Sequence, residues 1–430
     1  MKEKIKPTGK LGVLIVGLGA CSTTFLAGIN AIRKGSPAIG SLTQMGKLRP
    51  NRRDSNDFQE IRELVPLADL NEMEFLCWDV FSDDAYTAAL KAKVLTPQDL
   101  EFHKLFLEDI KPKKAVFKQK FVKNLRGNHT KGGTALECTL ALITEIEQFQ
   151  KEKNIDNLVM IWCASTEAFW TVQHHNLDAL HESIRKNEDI PPSQIYAYAA
   201  LQLGIPVING APNAMIDSPA FLDLALANQA PIAGKDFKTG QTLVKTIMAP
   251  GLRSRLLGVK GWFSTNILGN RDGKVLDDPN SFKTKEVSKL SVLEQILDEK
   301  VYPELYENLY HKVRINYYPP HGDNKEGWDN IDIVGWMGYG MQIKINFLCK
   351  DSILAAPIIL DLILFMDLAK RAGLSGIQEW LSFYFKSPQT RRDLEPIHSL
   401  FAQEMKLYNT IRYFADIEPI HYTGNEYYNF

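Results

Sequence analysis

Residues 13–28 read VLIVGLGACSTTFLAG, in which an apolar run meets two glycines and then a group of hydroxyl residues. The pattern predicts a buried strand over 11–16, a glycine turn and a helix over about 23–34, which together open a βαβ unit. Gly17 and Gly19 would let the backbone approach a pyrophosphate, and the helix N-terminus would offer free N–H donors. A tight turn from strand to helix needs the same glycines, so dinucleotide binding and a plain turn fit this stretch equally.

Further apolar runs predict more strands of the same sheet. They lie at Met73–Leu76, Leu158–Cys163 and Ile195–Ala199, and in GIPVING at 204–210. Helical patterns such as the one over 134–151 alternate with them. This alternation predicts an α/β fold with a Rossmann-like, doubly wound parallel sheet.

The pattern changes after about residue 242. Glycine-rich loops precede IDIVGWMGYGMQIKINFLC at 331–349, whose alternation predicts an antiparallel sheet in an inserted α+β domain. A helical pattern returns at Ile353 and continues past Phe401. Residues 42–71, rich in arginine and aspartate, predict a surface excursion to which no chemistry is assigned.

The composition of the whole chain limits its partners. With 430 residues the chain is long enough for two domains, and its net charge of -1 gives no long-range attraction to nucleic acid or anionic lipid. An anionic ligand must therefore meet a local cluster of cations. Five scattered cysteines without a C-x-x-C pair predict a reduced cytoplasmic protein with neither a disulfide scaffold nor a metal site.

Two apolar segments imitate targeting or membrane signals. The basic and apolar residues at 1–20 resemble a secretory signal, but the apolar run is short, contains glycines and is followed by no small-residue cleavage site. The longest apolar stretch, at 351–370, contains Pro357, Asp361 and Asp367. It therefore predicts a core helix, and no membrane partner is expected.

A pair of lysines stands at the start of another helical pattern. In SFKTKEVSKLSVLEQIL, at 281–297, Lys285 and Lys289 are four residues apart and share one helix face. Like charges so placed repel by a few tenths of a kcal/mol. A solvated helix start is the ordinary explanation of such a pair, and only its context favours a functional one.

That context is a series of motifs that resembles the myo-inositol-1-phosphate synthase family, also called the inositol-3-phosphate synthase family. The motifs follow the family order from near residue 11 to near residue 390. A colinear set of this kind is far more specific than any single motif. The motifs are VGLGACSTTFLAG, CWDV, DIKPKKAVF, VMIWCASTE, NGAPN, GKDFKTGQT, NILGNRDG, FKTKEVSKLSV, PPHGDNK, CKDSILAAPIILDL and WLSFYFKSP.

The resemblance implies a domain organisation and a reaction. It implies an NAD-binding domain formed by residues 1–242 and 350–430, interrupted by a catalytic and tetramerisation domain at 243–349. It further implies a cytoplasmic homotetramer that serves inositol and phospholipid biosynthesis, with tightly bound NAD and an activating monovalent or divalent cation. The implied reaction converts glucose 6-phosphate to inositol phosphate by oxidation at C5, enolisation, aldol closure between C6 and C1, and reduction by the same NADH.

The resemblance also assigns the site residues. The catalytic residues are Lys285, Lys289, Lys325, Lys386, Asp236, Asp272 and Asp351. The cofactor-binding residues are Gly17, Gly19, Ala20, Cys21, Ser22, Thr23, Asp79, Cys163, Ala164, Ser165, Asn209, Gly210 and Asp236. Clustered ammonium groups suit a phosphorylated substrate and an enolate intermediate, and their mutual repulsion lowers the pKa of each, so that one could act as a base.

The resemblance gives each lysine a role. Lys285 is expected to transfer a proton at the C5 hydroxyl and Lys289 to bind the phosphate, while Lys325 and Lys386 stabilise oxyanions. Asp351 would position a lysine or relay a proton, and the other two acids would orient lysines near the nicotinamide.

Each site residue also has an ordinary structural explanation. Asp351 could be a helix N-cap, Asp272 and Asn209 turn residues, and Cys163 part of a strand end. The sequence departs from the family pattern where lysine replaces an acid, at Lys235 and at Lys350.

Two other functions remain open at this point. They are a simple NAD-dependent sugar-phosphate dehydrogenase and a non-catalytic NAD-binding regulator.

Overall fold

The fold is built on two sheets. The structure, a computed structural model, describes residues 5–50, 57–170, 174–188, 190–391 and 394–420, and it leaves the side chains of 272, 282 and 285–291 undescribed. The strands are β1 Leu11–Val16, β2 Lys47–Leu48, β3 Gln59–Glu60, β4 Met73–Asp79, β5 Lys113–Val116, β6 Thr130–Lys131, β7 Asn157–Trp162, β8 Val207–Asn209, β9 Pro231–Gly234, β10 Gly258–Leu268, β11 Tyr310–Tyr317, β12 Asn324–Val334, β13 Gly340–Lys350 and β14 Gly376–Ile377.

The α-helices alternate with these strands in the first half of the chain. They are α1 Ala20–Arg33, α2 Leu42–Met45, α3 Ile61–Leu64, α4 Ala85–Ala92, α5 Pro97–Glu101, α6 Lys104–Asp109, α7 Ala135–Lys153, α8 Leu177–Arg185, α9 Pro192–Gln202, α10 Pro219–Ala227, α11 Gly240–Ser254, α12 Arg271–Leu276, α13 Pro279–Ile296, α14 Pro303–Tyr306, α15 Asp351–Arg371 and α16 Leu400–Phe414. Short 3-10 turns lie at 70–72, 119–121, 319–321, 336–338 and 379–384.

The larger sheet confirms the doubly wound prediction. Its eight strands run in the order β14-β9-β8-β7-β1-β4-β5-β6. Its described pairings are all parallel. β1 lies between β4 and β7 and is buried along its whole length, as expected for a central parallel strand covered on both faces. One core lies under α1, α15 and α16. The other lies under α7, α9 and α10.

One predicted strand is wrong. Residues 195–199 lie in the middle of α9, which carries Pro192 in its first turn, where the fixed φ and missing N–H of proline are tolerated. Ten of the eleven residues of α9 are buried. A helix buried on all sides has no polar face, so its β-branched and aromatic run cannot be told from a buried strand by its pattern.

The second sheet is mixed, so the prediction of an antiparallel sheet is only partly correct. Its order is β11-β10-β12-β13. β12 pairs antiparallel with β10 and with β13, whereas β10 and β11 pair in parallel. Its buried face packs in a third core that includes Ala249 of α11 and Val292 and Leu293 of α13.

The C-terminal region is less continuous than the predicted helix. α15 ends at Arg371, and the chain then adds β14 beside β9 at one edge of the larger sheet before α16 begins. Gly373 and Gly376 adopt positive φ in this connection. The helical pattern beyond Ile353 therefore belongs to two helices, with the second sheet inserted before both of them.

The long apolar helix α15 is a core helix, as the sequence predicts. By length and composition α15 could cross a membrane, yet 72% of its most apolar window is buried inside the protein. Its Asp361 is fully buried and accepts hydrogen bonds from the hydroxyls of Ser41 (2.6 Å) and Thr43 (2.7 Å). The excursion at 42–71 contains α2, β2, β3 and α3, and this network fixes its first residues to the core.

Candidate active site

A cavity of about 530 Å³ opens where β1, β4 and β7 end. The loops that follow these three strands form one wall, as expected for ligand sites at the carboxyl ends of parallel strands. The first residues of α15 and the loops at 269–271 and 319–322, which adjoin strands of the second sheet, form another part of the wall. The cavity therefore lies between the two sheets.

The glycine loop after β1 presents bare backbone to this cavity. Gly17 has φ +94°, and a Cβ there would lie 2.6 Å from the Cα of Ala164, so only glycine fits. Gly19 differs, because a Cβ there would meet no atom of the described residues within 4 Å. The open space beside Gly19, next to the N-terminus of α1, is a cradle of the kind that a pyrophosphate requires.

The hydroxyl residues of the loop do not face the cavity. The Ser22 hydroxyl donates to the carbonyl oxygen of Gly17 (2.6 Å), and the Thr23 hydroxyl donates to that of Gly19 (2.9 Å). Both side chains are buried. They hold the loop in shape, while Ala20 and Cys21 line the cavity itself.

Asp79 stands at the end of β4 beside the same loop. Its carboxylate accepts backbone N–H groups from Leu18 (2.6 Å) and Phe81 (2.9 Å). Burial raises the pKa of Asp79, while these two donors and the charge of Arg271 oppose the rise. Asp79 lines the cavity beside the glycine loop, and its expected contact with ribose hydroxyls stays a prediction.

The loop after β7 supplies Cys163, Ala164 and Ser165 to the wall. Burial raises the pKa of the Cys163 thiol and so favours its neutral form. Asn209 lies behind the wall, where its side chain donates to the carbonyl of Asn213 (2.8 Å), and Gly210 lines the cavity.

The first lysine pair of the site joins Lys386 to Asp236. The segments 235–238 and 384–387 run antiparallel, and the backbone N–H of Lys386 donates to the carbonyl of Asp236 (2.7 Å). The Lys386 Nζ then lies 3.0 Å from the Asp236 Oδ1. The two side chains are only 4% and 3% exposed, so the ion pair is buried.

The second pair joins Lys325 of β12 to Asp351, the first residue of α15. Their side chains meet at 2.6 Å. Lys350, and not Asp351, occupies the N-cap of α15, so the simple N-cap explanation of Asp351 does not hold. Although burial opposes it, the charges of Lys325 and Lys386 hold the pKa of Asp351 well below its usual range. The two pairs therefore form one cluster of charges, and Asp351 stays ionised in it.

Two acids of the cavity region were missed in the sequence. Asp323, two residues before Lys325, accepts a hydrogen bond from Asn270 (3.0 Å), and burial raises its pKa to about 6. Glu167 lines the cavity and accepts hydrogen bonds from the backbone and hydroxyl of Ser193, while burial raises its pKa to about 7. Asp323 lies in the motif PPHGDNK and Glu167 in the motif VMIWCASTE, so membership of these motifs is the sequence signal that could have identified the two acids.

The structure does not describe the side chains of three predicted site residues, Lys285, Lys289 and Asp272. The backbone of α13, which carries both lysines, is described and begins with Asp278 as its N-cap. The Thr284 hydroxyl donates to the carbonyl of Glu167 (3.2 Å). This contact places the first turns of α13 against the cavity wall.

The two departures from the family pattern are both satisfied locally. Lys235 forms an ion pair with Asp217. Lys350 donates to the carbonyl oxygen of Val94 (2.5 Å). Each added ammonium group therefore has an acceptor outside the Lys386–Asp236 and Lys325–Asp351 pairs.

Comparison with known proteins agrees with this architecture. A family model for NAD-binding proteins, described as myo-inositol-1-phosphate synthase, matches residues 11–412. The chain is 52% identical to inositol-3-phosphate synthase 1 of Bacteroides thetaiotaomicron over 96% of its own length and 97% of that protein. It is 31% identical to inositol-3-phosphate synthase isozyme 1 of Arabidopsis thaliana, over 95% of this chain and 86% of the plant protein.

A solved structure shows the same likeness in three dimensions. The crystal structure of inositol-3-phosphate synthase from Caenorhabditis elegans superposes with a TM-score of 0.92 at 27% identity, covering 99% of this chain and 89% of the nematode chain. Sequence and structure agree over nearly the whole length, so the chain belongs to the myo-inositol-1-phosphate synthase family.

Proposed function

We propose that this protein is an inositol-3-phosphate synthase that converts D-glucose 6-phosphate to 1D-myo-inositol 3-phosphate. The route is oxidation at C5, enolisation, intramolecular aldol closure and re-reduction. The observation that carries the proposal is the cluster of Lys386–Asp236 and Lys325–Asp351, beside the cavity that the glycine loop lines, in a chain that matches the family over residues 11–412.

The cavity fits NAD on its own geometry. The open backbone at Gly19 and the first turn of α1 would hold the pyrophosphate, and Asp79 would accept hydrogen bonds from ribose hydroxyls. Residues 163–165 and Gly210 would line the nicotinamide side. When bound, NAD accepts a hydride from C5 of the substrate and returns it after ring closure.

The buried lysines supply the charge that the substrate chemistry requires. Enolisation and aldol closure place negative charge on sugar oxygens, and a preorganised ammonium group stabilises such charge most strongly where water is excluded. Lys386 and Lys325 are the ammonium groups that stabilise this charge. Asp236 and Asp351 fix the position of the two ammonium groups and balance their charge before the substrate arrives.

Lys285, Lys289 and Asp272 complete the proposed site. Lys285 transfers a proton at the C5 hydroxyl, Lys289 binds the phosphate, and Asp272 orients a lysine near the nicotinamide. The support for the two lysines is the family resemblance and the contact of Thr284 with the cavity wall, one residue before Lys285.

Incubation of the protein with glucose 6-phosphate and a small amount of NAD tests the proposal. The expected result is inositol phosphate, with NAD needed only in catalytic amounts and no growing absorbance from NADH. Free glucose serves as the control and is expected to react very poorly, because it lacks the phosphate. Stoichiometric NADH would support the dehydrogenase alternative, and NAD binding without turnover would support the regulator.

We also propose that the protein is a homotetramer in the cytoplasm, with a domain division at 242/243 and 349/350. All four strands of the second sheet lie between Gly258 and Lys350, which supports an inserted domain, while the two proposed bounds fall within α11 and at the last residue of β13. The outer face and hairpin of this sheet expose large apolar side chains, including Leu348 (63%) and Trp336 (89%). Such a patch is typical of a subunit interface, and the mass of the protein in solution tests the tetramer.

An activating cation stays a prediction of the resemblance alone. Among the described residues, no group of three or more His, Cys, Asp or Glu side chains is arranged to hold a metal ion. Assays with added potassium, ammonium or magnesium salts, and with a chelator, would test it.

A further inference from the structure

Lys238, in the loop after β9, is buried behind the active site. In the loop after β9, Asp236, Phe237 and Thr239 line the cavity, whereas Lys238 does not. Its side chain is buried, with only 3% of the residue exposed. Burial lowers the pKa of Lys238 to about 7. Keeping an amine here is costly, and none of the described acids pairs with it, so a purely apolar side chain would pack more cheaply.

The amine of Lys238 is used for a single long-range contact. Its Nζ donates to the side-chain oxygen of Gln403 in α16, across the face of the Phe383 ring at 5.7 Å. Gln403 is fully buried, and its own amide donates to the carbonyl of Ile397 (2.5 Å). His398 packs beside the amine, and the positive charge of Lys238 adds to burial in lowering the histidine pKa to about 4. The contact therefore ties the loop to the start of the C-terminal helix.

The tied loop holds the catalytic groups on both sides of Lys238. Asp236 forms the buried pair with Lys386, and Thr239 donates a hydrogen bond to the carboxylate of Asp351. The backbone N–H of Lys238 donates to the carbonyl of Tyr384 (2.8 Å), in the segment that carries Lys386. A shift of Lys238 would thus move members of both lysine pairs.

We propose that Lys238 is a positioning residue for the reaction, whose contact with Gln403 lets the C-terminal helix fix the geometry of the Asp236–Lys386 pair. The inference rests on the proposed function, because it assigns that pair to the synthase chemistry. It involves no direct contact of Lys238 with substrate or NAD.

The test replaces Lys238 by methionine, which keeps the aliphatic length and removes the amine. Because a displacement of about 1 Å in a catalytic group can cost about 100-fold in rate, kcat should fall by roughly 10- to 100-fold. KM for glucose 6-phosphate and the affinity for NAD should change less than about threefold, since neither binding surface is touched. Lys406→Met is the control, because Lys406 lies on α16, the helix that carries Gln403, but pairs with Glu379, so its loss should leave kcat unchanged.

A double-mutant cycle separates positioning from simple stability. Lys238→Met/Gln403→Met removes both partners of the contact, at the cost of the Gln403 hydrogen bond to the Ile397 carbonyl, and should have the kcat of Lys238→Met alone. If either single variant fails to fold, the kcat of the double variant provides the test. A kcat within about twofold of wild type in Lys238→Met, or additive losses in the double variant, would overturn the inference. An inactive wild-type protein would instead overturn the proposed function.

Discussion

The two halves that we propose for the cavity, a nucleotide half and a substrate half, are built by different means. The nucleotide half, formed by residues 17–21, Asp79 and residues 163–165, presents backbone and neutral groups around a single carboxylate. The substrate half, formed by the Lys386–Asp236 and Lys325–Asp351 pairs, presents buried charges. In the first half a substitution acts through the space it fills. In the second half a substitution acts by leaving a buried charge without its ion-pair partner.

The largest expected effect tests the substrate half. Lys386→Met should reduce kcat by about 1,000-fold or more, since it removes an ammonium group aimed at developing negative charge. It should also destabilise the protein by about 3 kcal/mol, because it leaves the Asp236 carboxylate buried without this partner. Steady-state kinetics, urea unfolding and NAD titration measure the three quantities.

A matched variant separates the two losses. Lys386→Met/Asp236→Asn should recover much of the stability and none of the activity. NAD affinity should hold in Lys386→Met, and its loss would show that the two halves do not act independently.

Two glycine substitutions test the nucleotide half. Gly17→Ala forces a Cβ against the backbone of Ala164 at positive φ, and should cost about 1–3 kcal/mol of stability together with NAD binding. Gly19→Ala meets only open space, so the protein should fold normally while NAD affinity falls by about tenfold, because the methyl group occupies the cradle. Calorimetric titration measures the NAD affinity of the two variants, and thermal unfolding measures their stability. Equal stability losses in both variants would contradict a steric origin.

The protonation state of Glu167 tests whether this part of the cavity wall is uncharged. Burial raises its pKa from an ordinary value of 4.5 to about 7, so the folded state keeps a proton that the unfolded state loses between these values. The contribution of Glu167 to stability should therefore fall by about 3 kcal/mol as pH rises through this window, and Glu167→Gln should remove that contribution while leaving the one from Asp323, whose pKa is also raised. Urea unfolding at pH 5 and pH 8 measures it.

A second acid serves as the control with the opposite sign. The hydrogen bonds of Thr134 lower the pKa of Glu137, so its contribution to stability is present above the pKa of the unfolded state and is lost as pH falls. An unchanged pH dependence in Glu167→Gln would mean that Glu167 is ionised in the folded protein.

The smallest effect comes from a glycine outside the active-site cavity. Gly28 lies within α1, and a Cβ there meets nothing among the described residues within 4 Å. Gly28→Ala should stabilise the protein by up to about 1 kcal/mol through helix propensity, without change in kcat or NAD affinity. Thermal unfolding measures the gain. A loss of NAD affinity here would show that the effect of Gly19→Ala is not specific to the cradle.

The two halves also differ in how far the sequence alone could predict them. The nucleotide half lies in short continuous stretches, so the strand, the turn and the helix of the glycine loop were predicted with bounds close to those observed. The hydroxyls of Ser22 and Thr23 were not predicted to turn inward, because the pattern does not show which acceptor a buried hydroxyl finds.

The substrate half depends on contacts between distant segments. Asp236 meets Lys386 through an antiparallel pairing of 235–238 with 384–387, which no local pattern records. The family resemblance identified both residues, but not their pairing. Glu167, Asp323 and Lys238 were missed because their buried positions become visible only in the folded chain. The strand predicted at 195–199 failed for the same reason, since burial on all sides erased the helical pattern.

The position of α15 along the chain has a consequence for how the protein is made. This helix covers one face of the larger sheet, yet the ribosome delivers it only after the whole second sheet has been synthesised. Until then β7, β8 and β9 have one apolar face without its covering helix. Nascent chains longer than β9 and shorter than α15 should therefore bind chaperones and aggregate, and should become protease-resistant only when α15 has emerged.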